Sequence, residues 1–349
     1  MSNRPEKWRN DLVNYLPPSQ PSVYRHFWDA RRVPFHARSE GDFDRGRCWW
    51  LAEVSRTAYL DPPHARNDYI QGFGQHGYAV SVSHEPRERT ERGAFWYCIE
   101  ADDFAIVVFR GSEVPSRVDH TPQELMNAFK DWVVTDANLF FVDWEYAGAQ
   151  VHCGFYKAYR ELVPLEGRRP GGELLGRVVE LARRGLPIWV TGHSLGGAMA
   201  SLLASELANM RLPSLARPIV VEGVYTFGAP YVGDRQFVES LNDVPAYRVV
   251  NDLDLAARVP RRSAPLPWLG ERYAHYGELV LYDRNGRMLR GSEARRRERD
   301  NLLALGAGAV TSFLLPSKDI PKLSMIRAVP KPMLDHAPIL YSIHAWENL

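Results

Sequence analysis

The stretch Ile188-Trp189-Val190-Thr191-Gly192-His193-Ser194-Leu195-Gly196-Gly197-Ala198-Met199-Ala200 decides how the rest of the chain is read. A β-prone run ends at Thr191, glycines stand on either side of Ser194 at Gly192 and Gly196, and an Ala/Leu/Met-rich helical pattern begins at once. This predicts a strand, a sharp turn and a helix. Such a turn holds its central residue in a strained backbone conformation, tolerable only where the flanking positions carry almost no side chain, hence Gly-x-Ser-x-Gly. The Ser194 hydroxyl would then stand exposed at the carboxyl edge of a parallel sheet. The amides after it, beginning with Leu195, would open a helix, where unpaired N–H groups and the helix dipole favour negative charge such as an oxyanion. The competing reading is a tight strand-to-helix turn with an incidental serine. The strand before and the helix after argue against it.

The chain has 349 residues, 45% of them hydrophobic and 24% charged, with a formal net charge of +1. That is the composition of an ordinary globular protein with ample core, and it lacks the basic excess that a nucleic-acid partner would require. Cys48, Cys98 and Cys153 are few, odd in number and without metal-ligand spacing, so neither a disulfide framework nor a metal site is expected. Nothing in the sequence asks for a cofactor. Met1 to Leu16 alternates charged and apolar residues, which is not a cleavable secretory signal, so a chain cytoplasmic as made is expected, with export by a signal-less route left open. The longest apolar run, Leu302 to Pro316, is too short and too interrupted by glycine to span a bilayer, which takes about 20 residues; it reads as a buried helix.

Residues 1–45, rich in Pro, Arg and aromatics, read as an N-terminal wrap, and residues 46–349 as a single α/β unit. A first helix runs from Cys48 to Tyr59 and ends at Asp61-Pro62-Pro63. Gly72 to Val82, Phe95 to Ile99 and Phe104 to Phe109 read as strands, the last feeding Arg110-Gly111-Ser112. Thr121-Pro122-Gln123-Glu124 is a capping box, followed by Leu125, Met126, Phe129, Trp132 and Val133 on one helical face. Further strands are expected at Leu139–Val142, Ala149–His152, Ile219–Phe227 and Ala246–Val250, with helices over Gly154–Leu162, Glu173–Arg184 and Asp234–Leu241. Strand and helix alternate, which predicts a mostly parallel sheet flanked by helices. The run Ser292 to Asp300 is charged, basic in balance, and reads as a solvated helix face rather than a membrane or partner contact.

A serine at such a turn needs a base, and the base an orienting carboxylate, both downstream in the order Ser, Asp, His. Asp252 and Asp254 follow the strand ending at Val250, and the candidate bases are His275, His336 and His344, with His193 adjacent but turned away. Here the chain resembles the class 3 lipases, fungal-lipase-like proteins of the α/β-hydrolase fold, over roughly residues 50–341. The resemblance rests on Val107-Val108-Phe109-Arg110-Gly111-Ser112, Val151-His152-Cys153-Gly154-Phe155, Thr191 to Ala198, Thr226-Phe227-Gly228-Ala229-Pro230, Asn251-Asp252-Leu253-Asp254 with Pro260, and Asp335-His336 with Tyr341. It implies Ser194 as nucleophile, Asp254 as acid and His336 as base. His275 then resembles a position without a chemical role, and His152 and Gly154 resemble packing beneath the site. The chain departs from the family at Ala256-Ala257, where Val-Pro is usual, so Asp252 stays beside Asp254 as a second candidate. It also departs between Trp132 and Asp136, one residue longer than the family's spacing and preceded by an insertion, which implies an enlarged lid over about 113–131.

The resulting expectation is a serine carboxylic ester hydrolase acting on lipids, a triacylglycerol lipase or esterase, with phospholipase A1-type or short-chain esterase activity as alternatives. The oxyanion would be held by the Leu195 amide and by Ser112, while Arg110 would brace the oxyanion loop through carboxylate neighbours. The lid helix would present Leu125, Met126, Phe129 and Trp132 toward the acyl groove or a lipid–water interface. A reading of a different kind is a catalytically idle hydrolase-fold interaction protein. Retention of Ser112, Ser194, Asp254 and His336 argues against that.

Overall fold

Every residue of Ala105–Phe109 and of Ile188–His193 is buried, as strands with helices on both faces must be. The computed structural model describes residues 32–39, 41–60, 62–84, 94–111, 140–167, 169–211, 219–260, 271–314 and 335–349. Ser112, the expected lid with Leu125, Met126 and Phe129, and Trp132 lie outside the described residues.

In chain order, α1 (Arg45–Thr57) starts at an Asp44 cap and α2 (Pro62–Gln75) at a proline. Then come β1 (Ser81–His84), β2 (Trp96–Glu100), β3 (Ala105–Phe109), β4 (Phe141–Asp143) and β5 (Gln150–His152). Next are α3 (Cys153–Leu162), β6 (Leu165–Glu166), β7 (Arg169–Pro170) and α4 (Glu173–Arg183). The central units are β8 (Ile188–His193), α5 (Leu195–Asn209), β9 (Val221–Phe227), α6 (Arg235–Glu239) and β10 (Ala246–Asn251). Last are β11 (Glu278–Tyr282), β12 (Met288–Leu289), α7 (Gly291–Leu314) and α8 (Pro338–Glu347).

The main sheet has the order β1-β2-β3-β8-β9-β10-β11-β12. Strands β3, β8, β9, β10 and β11 are parallel, and antiparallel strands close both edges. Alternation along each strand feeds two cores. Val107, Phe109, Ile188 and Val190 face α3, α4 and α5, while Ile106, Val108 and Trp189 face α1 and the N-terminal residues.

Two expectations need correction. The strand expected over Gly72–Val82 is helical up to Gln75 and extended only from Ser81. Proline at a helix start needs no N–H partner, and Ala65, Tyr69 and Phe73 recur on one buried face, so Pro62-Pro63 opens a second helix rather than merely ending the first. The strands expected near 139–142 and 149–152 form as an antiparallel pair outside the main sheet, with Val151 also bridging Gly233. The apolar run from Leu302 is helical to Leu314, yet Leu303 is 80% exposed.

Among the described residues no helix is long and apolar enough to cross a membrane. All three cysteines are free and buried, and burial pushes the Cys48 and Cys98 thiols up to about 12.

Candidate active site

Ser194 links β8 to α5 with φ 57° and ψ −127°, a conformation that L residues rarely adopt. The two glycines of the pattern are a steric necessity. A Cβ on Gly192 would overlap the backbone of Gly196, and one on Gly196 would overlap the Phe109 carbonyl of β3. The Ser194 amide donates to the Phe227 carbonyl at 2.9 Å, fixing the turn against β9.

His336 precedes α8 and Asp254 follows β10, so both reach the edge where Ser194 stands. His336 Nε2 lies 2.9 Å from Ser194 Oγ, and His336 Nδ1 lies 3.0 Å from Asp254 Oδ2. All three residues are buried. Asp254 Oδ1 accepts from the Ala256 amide at 2.8 Å, and Tyr341 donates its hydroxyl to Oδ2. Burial alone would raise the Asp254 pKa, but His336 and the Tyr341 hydrogen bond outweigh it and leave the carboxyl below its ordinary value. An ionised Asp254 accepts a hydrogen bond from Nδ1–H, so Nε2 faces the serine as an acceptor. A hydroxyl, an imidazole and a carboxylate so aligned can pass a proton from oxygen to nitrogen, with the carboxylate stabilising the imidazolium.

Asp252 does not join them. Its carboxylate pairs with Arg297 at 2.8 Å, and its carbonyl accepts from Arg258 and Asn301. His275 reaches the Ala257 carbonyl at 3.0 Å, and His344 Nδ1 lies 3.0 Å from Asn251 Oδ1, so neither takes the place of His336. The Arg110 guanidinium sits over the Phe95 ring, 5.0 Å from its centroid. Leu195 opens α5 beside the serine.

Sequence reasoning missed two supports of the site. His193 Nε2 lies 2.7 Å from the His336 carbonyl, which can only accept, so Nε2 carries the proton and Nδ1 accepts from the Tyr59 hydroxyl at 2.7 Å. Burial, and secondarily the neighbouring His336, lower the His193 pKa to about 3, which keeps this brace neutral. Tyr341, noted only as part of the resemblance, also accepts from the Asn251 amide at 3.1 Å and so ties α8 to the end of β10. No local pattern announces Tyr59, which comes from the end of α1 and meets His193 only across the fold. Among the described residues no three His, Cys, Asp or Glu side chains are grouped so as to hold a metal ion.

Residues 106–264 match the profile of the Lipase (class 3) family. Over that stretch, somewhat less than half of its length, the chain is similar to the class 3 lipases. It is 27% identical over 209 residues to Toxin TseL of Vibrio cholerae, covering 52% of this chain and 30% of that protein. It is 34% identical over 155 residues to Phospholipase A1-Igamma1, chloroplastic, of Arabidopsis thaliana, covering 40% of this chain and 29% of that one. It is 30% identical over 174 residues to a lipase of Rhizomucor miehei, covering 48% of this chain and 40% of that one. The chain thus spans well under half the length of each of these relatives. Among solved structures, a fungal lipase–inhibitor complex superposes with a TM-score of 0.53 at 19% identity, covering 84% of this chain and 96% of that one. The Rhizomucor miehei triacylglyceride lipase superposes with a TM-score of 0.51 at 22% identity, covering 76% and 96%. The fold is the α/β-hydrolase fold that these lipase structures share.

Proposed function

We propose that this chain hydrolyses carboxylic esters of lipids through an acyl-enzyme on Ser194. The observation that carries the reading is the line from Ser194 Oγ through His336 to Asp254, set on a strained strand-to-helix turn. His336 Nε2 takes the hydroxyl proton as Oγ attacks the ester carbonyl, and gives it to the departing alcohol when the tetrahedral intermediate collapses. Water, deprotonated by the same nitrogen, then releases the fatty acid and restores the serine. The negative oxygen of each intermediate would be held by the Leu195 amide and by Ser112, which follows β3. The residues around 113–131, after that loop, would form the lid.

The relatives support a lipid ester as substrate class. The Arabidopsis relative, named a phospholipase A1, favours release of one acyl chain from a phospholipid as a second reading beside triacylglycerol. Ser194→Ala should abolish p-nitrophenyl butyrate hydrolysis, by about a million-fold in turnover, with an unchanged circular dichroism spectrum. Loss of fluorophosphonate labelling in the same variant would separate an enzyme from an idle hydrolase fold; parental activity in a folded variant would refute the reading. Fatty acid release from emulsified trioleoylglycerol, compared with phosphatidylcholine vesicles, distinguishes the two lipid classes.

A further inference from the structure

The charged run Ser292–Asp300 has no part in the chemistry above. It forms the first turns of α7, which packs beside β11, and with the starts of β10 and β11 it encloses a cleft of about 550 Å³. Arg248, Arg295 and Arg299 line this cleft, together with Glu278, Glu298 and Ser292. Both carboxylates are already engaged. Arg290 holds Glu278 with two bonds of 2.7 and 2.9 Å, and Arg258 holds Glu298 at 2.8 Å. The three arginines are not compensated in the same way. Arg295 and Arg299 make no ion pair among the described residues, and the Arg248 Nε and Nη1 are shut off from solvent without an acceptor. A cation so placed, in surroundings that screen poorly, gains from a bound anion far more than a surface arginine does. The opening of α7 adds to this field. Its first-turn amides have no intrahelical acceptors, and the helix dipole is positive at that end.

We propose that this cleft binds a phosphate-class anion, with Arg248 at its floor, Arg295 and Arg299 on α7 closing over it, and the first turn of that helix donating to its oxygens. Planar guanidinium groups match the oxygens of a phosphate, and several converging arginines prefer an anion that offers several acceptors over a halide. A cleft of about 550 Å³ exceeds what inorganic phosphate fills, so it leaves room for an organic substituent on the phosphate. It is either a soluble phosphate ester or the head group of a phospholipid. The cleft flanks the amino-terminal half of β11, where Arg248 is opposite Leu279, whereas Asp254 follows the carboxyl end of β10; it is therefore separate from the Ser194 site.

The test reads binding without turnover, so it stands apart from the hydrolase reading. Calorimetric titration with glycerol 1-phosphate, and melting in sodium phosphate against sodium chloride of equal ionic strength, should show saturable binding and an upward Tm shift specific to phosphate. Arg295→Ser combined with Arg299→Ser removes two exposed side chains and should weaken glycerol 1-phosphate at least about tenfold with circular dichroism unchanged. Arg248→Met should do the same. Cosedimentation with phosphatidylglycerol vesicles that the double variant loses assigns the site to a lipid head group. Solution binding without such capture assigns it to a soluble ester. Equal melting in phosphate and chloride, or undiminished affinity in the folded double variant, would overturn the proposal.

Discussion

Ser194 keeps its side chain at φ 57°, where a residue other than glycine pays about 1–3 kcal/mol, because the glycines around it leave no alternative path from β8 into α5. Gly228 is the less obvious counterpart. It has φ +58°, and a Cβ there would lie 2.5 Å from Asp254 Oδ2 and 3.0 Å from His336 Nδ1. Gly228→Ala should therefore displace the carboxylate–imidazole pair and lower kcat by about a hundredfold while leaving the secondary structure intact. Parental kcat in that variant would mean that the pair does not depend on this turn. The acid is chosen at the same scale. Asp254→Asn should cost far more turnover than Asp252→Asn, because Asp252 is occupied by Arg297; the reverse order in steady-state kinetics would move the role to Asp252. The serine was legible from its immediate neighbours, whereas two aspartates two positions apart were separable only once each had found its partner.

His152, expected as packing beneath the site, caps α3. Its Nδ1 accepts from the Gly154 amide at 3.1 Å, and burial lowers its pKa from 6.5 to about 4. The unfolded chain therefore binds a proton that this cap refuses, so its contribution to stability is complete above pH 6.5 and is lost as the pH falls toward 4. His193, lowered to about 3, acts in the same direction. His152→Asn keeps a side chain that can cap a helix but cannot titrate. It should leave stability near pH 7 little changed and remove roughly one proton from the slope of unfolding free energy against pH over the window from 6.5 to 4, measured by urea denaturation. An unaltered slope would show that the native ring is protonated there. The helix expected around Leu125 is proposed as a cover, from its capping box and apolar stripe alone. Replacing Leu125, Met126 and Phe129 by serine should reduce hydrolysis of emulsified lipid and spare a short soluble ester; equal loss on both would favour a helix packed permanently on the core.

Across the whole molecule the parallel sheet needs both faces covered, and α1 with the residues before it supplies one of them. Phe35 is buried against Phe104, with ring centroids 4.3 Å apart, and the Trp50 indole donates to the Val33 carbonyl at 3.1 Å. Phe35→Ala should cost about 3–5 kcal/mol, visible as a lower urea midpoint with an unchanged m-value. A loss below 1 kcal/mol would mean that these residues add little to the core. The Trp49 and Trp346 rings pack at a tilt with centroids 5.0 Å apart, which joins α1 to α8, the helix that carries Tyr341 and follows His336. The N-terminal layer thus packs on the same face as α8 and supports the helix that follows His336.

The sequence by itself determined the strand–turn–helix at Ser194, the alternation that makes the sheet parallel, and the residue types from which a triad could be drawn. Each of these is written in near neighbours, through steric exclusion at the two glycines and the period of apolar residues. Only the tertiary structure decided which aspartate meets His336, that Tyr59 and Tyr341 brace the site, and that Arg248 shares a cleft with the start of α7. Those pairings join residues 43 to 134 positions apart, where no local pattern constrains the partner; the order in which strands are laid down and the burial of each side chain do.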